Sequence, residues 1–397
     1  MAISSASPCH SPLWVLLLAL PILIRLLKAK PLASRETVVL PSEERVVLLG
    51  ASSGVGRTLA HAYSERKAKI CLVARRNAEL EKVKKECIDI GANEEDVIIV
   101  SADITNTDDL IKVRETVIKA WGGIDTLHIL AGLPSTSLLL ELAGVNLDKG
   151  DESALSGAPL TFSTSTSTST STSNSDSGSI HGGDYGRLNG PSKEGLDKVA
   201  FETRALSEVN YIGTVLALTC FLPLLASTSK SPALHHLSSV AATVPAPHRV
   251  IYASSKAAGL MAVESCRVEC EGCGVRFFSF CPGTIDNEFR LKTATSQSGG
   301  RDETKLPIKH QWEKLLLSPE KVVEIILHNL SLSPKPQPLI PYPPFSWIKS
   351  LNIPPKHLVH APWQYRLAMM VRDTPLGWGF VEPGARRKYG LIGKPSM

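Results

Sequence analysis

The chain has 397 residues, with 43 Lys and Arg against 38 Asp and Glu for a net charge of +5, and it is 43% hydrophobic and 20% charged. That length holds one large domain or two ordinary ones, with enough apolar content for a core. The basic residues are scattered rather than gathered into arms, so nucleic-acid binding finds no support, and the eight cysteines form no disulfide framework. Cys270 and Cys273 make one CxxC with Cys266 upstream, but no second Cys or His pair stands at zinc-site spacing, so no metal is expected. Reduced thiols fit a cytosol-facing domain.

The N-terminus differs from the rest. Leu13 to Ile24 is almost wholly apolar and is followed by Arg25, Lys28 and Lys30. The run is shorter than the roughly 20 residues of a comfortable span and contains Pro21. No Lys or Arg precedes it and no small-x-small site follows it, which disfavours a cleaved signal peptide. Residues 1–35 are therefore expected to be a membrane anchor and its flank. The basic residues on the C-terminal side of the run put the main body in the cytosol. A single span and an interfacial hairpin both remain open.

Further along, the text alternates. Val46 to Leu49 is a continuous apolar run, expected of a strand buried on both faces of a parallel sheet. A glycine turn, a helix and a second strand ending in "LVARR" follow. A third strand is expected over Asp96 to Ile104, a helix over Thr107 to Trp121 and a fourth strand in "DTLHILAG". Such alternation predicts an α/β fold, a doubly wound parallel sheet. Residues 144–198, including "STSTSTSTSTSNSDSGS", are polar and low in complexity, and are expected to be a disordered insertion. Beyond it come a helix over Phe201 to Ala226, a strand over Ala233 to Ser238, a helix carrying Tyr252 and Lys256, and a strand in "VRFFSFCPG". A last helix has Ser318 as its cap and Pro319 at its first position. The main domain is thus expected over 42–332, with a Pro-rich extension over 333–397 whose location the sequence leaves open.

Three features carry chemistry. Gly50, Gly54 and Gly56 lie between strand and helix, where a pyrophosphate needs a tight turn, close backbone approach and helix N–H groups. The second strand ends in Ala74, Arg75 and Arg76, with no carboxylate to repel a 2′-phosphate and guanidinium groups to hold one, which favours NADP(H) over NAD(H). Tyr252 and Lys256, four residues apart, share one helix face. With 43 basic residues and seven tyrosines, that spacing alone is roughly an even chance.

Taken together, these motifs resemble the short-chain dehydrogenase/reductase family over most of Glu44 to Leu332, which implies a Rossmann-type fold. "GASSGVG" matches the family's cofactor loop, implying contacts from Gly50, Ser52, Ser53, Gly54, Val55 and Gly56. Asp103 in "SADI" stands where the family contacts adenine, and Ala131 and Gly132 match its Ala-Gly after the fourth strand. "CPGTID" matches the Pro-Gly turn beside the nicotinamide, implying Pro282, Gly283 and Ile285. Asn210 in "VNYIG", Ser239 thirteen residues before Tyr252, Tyr252 itself and Lys256 match the catalytic tetrad. The implied roles are proton donation by Tyr252, whose pKa Lys256 lowers from near 10, substrate-oxygen binding by Ser239, and water positioning by Asn210. Three departures stand out: Ile129-Leu130 replaces the paired asparagines, Leu49 a threonine before the first glycine, and Asn287 a threonine after the Pro-Gly turn.

The resemblance implies an NADP(H)-dependent carbonyl reductase or alcohol dehydrogenase acting on a hydrophobic, lipid or steroid-like substrate. It points toward the membrane-anchored branch that includes 11β-hydroxysteroid dehydrogenases and 3-ketodihydrosphingosine reductases, at the endoplasmic reticulum or lipid droplet, and leaves room for a homodimer. The stretch from Asn287 to Leu317 is expected to cover the substrate. A non-catalytic NADP-binding membrane scaffold on the same fold is the competing reading.

Overall fold

A computed structural model of the chain describes residues 34–148, 161–164, 191–287, 316–332, 337–338, 352–353 and 357–388. Residues 1–33 of the expected anchor and flank (1–35), most of the Ser/Thr-rich insertion and residues 288–315 lie outside these. Seven strands form one parallel sheet: β1 (Arg45–Leu49), β2 (Lys69–Ala74), β3 (Val97–Ser101), β4 (Thr126–Ile129), β5 (Ala233–Leu237), β6 (Arg276–Pro282) and β7 (Leu358–Ala361). Their order is β7-β6-β5-β4-β1-β2-β3. The chain therefore starts mid-sheet, winds outward to β3, returns and winds the other way. This places a crevice at the carboxyl ends of β1 and β4, where ligands bind in such sheets.

Alternate residues of each strand feed opposite cores, because side chains alternate across a strand. Val46, Leu48, Ile70, Leu72, Phe278 and Phe280 pack one face with Leu59 and Tyr63 of α1 (Gly54–Glu65), Leu80 and Val83 of α2 (Asn77–Ile90), and Val322 and Ile326 of α7 (Pro319–Ser331). Val47, Leu49, Val73, Leu127 and Phe277 pack the other with Leu110 and Val113 of α3 (Thr107–Trp121) and Val263 of α6 (Val250–Glu269). Each such side chain, fully buried, contributes roughly 1.5–3 kcal/mol. Helix ends follow local chemistry. Asn106 Oδ1 accepts from the amides of Asp108 and Asp109 at the start of α3, and Gly122 closes it at φ +72°. Ser318 accepts from Lys321 N, with Pro319 opening α7.

Three expected boundaries move. The helix read over Phe201 to Ala226 runs continuously from Lys193 to Thr228, as α4 (Lys193–Ser207), a π-turn (Glu208–Ile212) and α5 (Gly213–Thr228). Its polar first turns look like insertion text, but Ser192 caps them by accepting from Gly195 N. Val145–Asp148 and Thr161–Thr164, read as part of the disordered insertion, pair as antiparallel strands. The seventh strand comes from the Pro-rich extension: β7 pairs in parallel with β6, from Leu358↔Ser279 to Ala361↔Pro282. After it come α8 (Trp363–Val371), a π-turn (Gly377–Val381) and α9 (Glu382–Lys388).

Among the described residues, Lys193–Thr228 is the one helix long and apolar enough to cross a membrane, yet half of its apolar window is buried inside the domain. Ala217, Phe221 and Leu225 of α5 belong to the core. At the opposite end of the sheet from the crevice, buried Arg35 bonds Glu44, Thr126 and the carbonyls of Ser231 and Asp125, so the segment just before β1 is tied to the domain.

Candidate active site

Gly50 has φ +111°, and a Cβ there would lie 2.7 Å from Ala131 N, so only glycine lets the β1 turn pass the end of β4. A Cβ on Gly56 would overlap the Gly50 carbonyl oxygen. The first turn of α1 carries no acid and Ser53 makes no side-chain cap. Its N–H groups and the positive end of the helix dipole are left for an anion. Asn287 lies over this loop, 3.3 Å from where a Gly54 Cβ would be.

This loop forms one side of a cavity of about 690 Å³ lined mainly by apolar surface. Gly50, Ser52, Ser53, Gly54, Val55, Gly56, Arg75, Asp103, Ala131, Gly132, Pro282, Gly283 and Ile285 all line it, as do Ser239, Tyr252 and Lys256. At the end away from Tyr252, Arg75 Nη1 lies 3.6 Å from Asp103 Oδ2, and Arg76 Nη2 donates to Ser52 Oγ at 3.0 Å. Arg76 thus links the end of β2 to the glycine loop. The charge of the "LVARR" stretch was legible, but this link was not.

The other end is built by β5 and α6. Ser239 follows β5 and opens a short 3-10 turn, Val240–Ala242, its Oγ accepting from Ala241 N at 3.2 Å. Tyr252 and Lys256 lie one turn apart on α6 and are nearly buried, at 6% and 4% exposure. The Arg249 guanidinium stands 5.5 Å from the centre of the Tyr252 ring, a cation–π distance. Lys256 Nζ donates to the Leu237 carbonyl at 3.1 Å. Burial pushes the Lys256 ammonium down to about 8, partly offset by the Cys281 thiol nearby. That thiol is itself pushed up to about 12 by burial.

Asn210 stands behind the cavity rather than in its wall. It sits fully buried in the π-turn, a backbone irregularity that often marks a functional position. Its Oδ1 accepts from Leu133 N at 2.8 Å, and its Nδ2 donates to Leu133 O and Ser255 Oγ. The side chain therefore clamps the strand end where the paired asparagines are replaced by Ile129-Leu130. Gly259 makes the approach of α6 feasible, since a Cβ there would lie 2.5 Å from the Asn210 carbonyl oxygen. Gly132 is similarly hemmed in, its would-be Cβ 3.0 Å from both Asn210 Oδ1 and Lys256 Nζ.

The C-terminal segment supplies the wall that reading the sequence missed. Gln364, Tyr365 and Ala368 of α8 and Val381, Gly384 and Ala385 beyond it line the cavity. Arg372 Nη1 donates to Thr243 O, and Thr243 Oγ1 meets His360 Nε2 of β7 at 3.1 Å, which docks the segment against the Ser239 turn. A Cβ on Gly283 would lie 2.8 Å from the Tyr365 ring. Only the helical spacing of Trp363, Leu367 and Met370 could have signalled an ordered element here.

The residues fit a dinucleotide. Glycines keep the cradle open, an uncapped helix start faces it, and cationic side chains stand at one end with a proton-bearing phenol at the other. The short chain dehydrogenase family model matches residues 44–158 and 190–298, more than half of the chain. An 11-beta-hydroxysteroid dehydrogenase A from Sesamum indicum is 38% identical over 100 residues, covering 25% of this chain and 28% of that protein. A dehydrogenase/reductase SDR family member 7 from Mus musculus is 38% identical over 104 residues, covering 26% and 30%. An 11-beta-hydroxysteroid dehydrogenase 1A from Arabidopsis thaliana is 26% identical over 243 residues, covering 61% and 52%. The matched stretch thus spans about half or less of these relatives. A short-chain dehydrogenase/reductase of unknown function from Caenorhabditis elegans, solved with its cofactor, superposes with a TM-score of 0.52 at 18% identity over 73% of this chain and 91% of that one; this likeness concerns the fold. The family match agrees with the cradle just described: this chain belongs to the short chain dehydrogenase family.

Proposed function

We propose that this enzyme interconverts a carbonyl and a secondary alcohol on a hydrophobic, lipid or steroid-like substrate, using NADP(H). The observation that carries the reading is that Ser239, Tyr252 and Lys256 line the same cavity as the glycine loop. When bound, the nicotinamide cofactor supplies or accepts the hydride. In the reducing direction, Tyr252 donates its phenolic proton to the carbonyl oxygen, while Ser239 steadies the charge developing there. Lys256 holds a positive charge one turn away and favours the phenolate that remains. Asn210 acts through its clamp on Leu133 and Ser255, fixing the cavity's back wall.

The preference for NADP(H) is supported by Arg75 and Arg76 at the end of β2, with Ala74 where an NAD-preferring site commonly has an acid. The apolar wall of Leu133, Val209, Val240 and Val244 supports a hydrophobic substrate, as do the names of relatives called 11-beta-hydroxysteroid dehydrogenases. Residues 13–24 serve as a membrane anchor, with the catalytic domain on the cytosolic face of the endoplasmic reticulum or a lipid droplet. The test is NADPH oxidation over a panel of hydrophobic ketones, with Tyr252→Phe beside the parent. The parent should turn over at least one ketone, and the variant should lose about a thousandfold or more in kcat. A parent that binds NADPH yet reduces none would favour the scaffold reading.

A further inference from the structure

The segment after β7 has two unlike faces. One lines the cavity through Gln364, Tyr365 and Ala368 of α8 and through Val381, Gly384 and Ala385. The other presents large apolar side chains outward: Trp363 is 67% exposed, Leu367 50% and Met370 68%, at positions i, i+4 and i+7 of one helix. Leu376 and Phe380 follow at 58% and 74%. Single exposed apolar residues need no explanation, but a run of five on one short segment at a cavity mouth marks an interaction surface. Side chains at that helical spacing share a face, so the apolar residues of α8 form a stripe.

The charge of the segment says what covers that stripe. From Trp363 to Met397 the chain carries six basic residues, Arg366, Arg372, Arg386, Arg387, Lys388 and Lys394, against two acids, Asp373 and Glu382. Residues 1–33 add Arg25, Lys28 and Lys30 and contain no acid. An apolar stripe with an exposed tryptophan and phenylalanine, accompanied by arginines and lysines, has the chemistry of a helix lying in the interface of an anionic bilayer. A second protein copy would offer no matching excess of negative charge, since the whole chain is net positive.

We propose that the exposed face of Trp363 to Phe380 docks on an anionic phospholipid bilayer, so that the cavity opens against the membrane and takes its hydrophobic substrate from the lipid phase. The docking claim stands by itself, and the substrate-delivery claim rests on the function proposed above. One segment thus joins the two environments: Tyr365 and Ala368 face the cavity while Leu367 and Met370, their neighbours on the helix, face lipid.

The test uses the full-length protein. Hydrogen exchange of residues 363–388 is followed by mass spectrometry with phosphatidylcholine vesicles, with and without phosphatidylglycerol, for the parent and for the triple variant Trp363→Ser, Met370→Glu, Phe380→Glu. These side chains are exposed, so the fold is expected to persist, as checked by unchanged exchange in β1 and β4. Vesicles containing phosphatidylglycerol should slow exchange of the parent segment by about tenfold or more and leave the variant segment unchanged. In parallel, turnover of a long-chain ketone dissolved in the vesicles should fall about tenfold in the variant, with turnover of a short water-soluble ketone unchanged. Exchange insensitive to anionic lipid would overturn the docking claim. So would protection that rises with protein concentration in the absence of lipid, which would assign the stripe to a second copy. Lipid-dependent protection together with no turnover of any ketone would leave docking in place and refute the proposed reaction instead.

Discussion

Replacing Lys256 with methionine should make the protein more stable and abolish its chemistry. Burial holds the Lys256 ammonium down at about 8 from 10.5. At 1.36 kcal/mol per pH unit of difference, carrying that charge into the fold costs about 3 kcal/mol at pH 7. Methionine keeps the packed stem and removes the charge, but gives up the hydrogen bond to the Leu237 carbonyl, worth about 1 kcal/mol. A net gain of about 2 kcal/mol follows at pH 7, which in a domain of this size raises Tm by several degrees. The sign also sets the pH dependence. Because the folded-state pKa lies below the unfolded one, the parent's penalty is full below pH 8 and fades as pH rises toward 10.5. The advantage of the variant should shrink over that same window. Thermal unfolding of full-length parent and variant in detergent, at pH 7, 8.5 and 10.5, reads both quantities, and ketone reduction reads the loss of activity. A variant less stable than the parent at pH 7, or an advantage that does not change between pH 8 and 10.5, would refute the reasoning.

Other outcomes follow from the same geometry. Asn210→Ala strands the Leu133 N–H and C=O and removes the donor to Ser255 Oγ, which keeps its own bond to Tyr252 O, and should lower stability by about 3 kcal/mol in denaturant unfolding. Gly56→Ala puts a methyl into the Gly50 carbonyl; if it folds, it should lose the rise in Tm that NADPH gives the parent. Exchanging Arg75 and Arg76 for Glu and Ser should move the NADPH-to-NADH ratio of kcat/KM toward NADH by about tenfold or more. In the core, burial pushes the His235 imidazole down to about 3 and holds His128 well below its usual value. Their neutral forms are linked to Tyr63 through contacts of 2.9 and 3.0 Å. Stability should therefore fall as pH drops below 6.5, and His235→Phe, stacked on Phe278, should flatten that fall in an acid titration followed by fluorescence.

Much of the sheet was legible because its strands are buried on both faces. Val46 to Leu49 reads as a continuous apolar run and Phe277 to Cys281 as one broken only by Ser279, and such runs leave few alternatives. The glycine loop was legible for a related reason: Gly50 and Gly56 leave no room for a side chain, so their spacing records a geometric demand. Tyr252, Lys256 and Ser239 became legible through their distances from one another. What escaped was built by long-range contact. Arg76 reaches Ser52 across 24 positions, and no local pattern marks that. The clamp of Asn210 on Leu133 spans 77 positions, and no local pattern marks that either. Four residues of β7 are too few for a periodicity to show, and prolines on either side disguise them as linker.

The position of β7 also bears on how the protein must be made. β6 reads "RFFSFCP" and is buried along its whole length, and β7 covers its outer edge only once Ala361 has been synthesised. Between the emergence of Pro282 and that of Ala361, the nascent chain holds an apolar strand with an unpaired edge, the kind of template on which other chains add. A chain terminated between Pro282 and Leu358 would keep that edge bare for good. Its glycine loop, tyrosine and lysine would all be present, and its prospects would nonetheless be governed by aggregation rather than by catalysis.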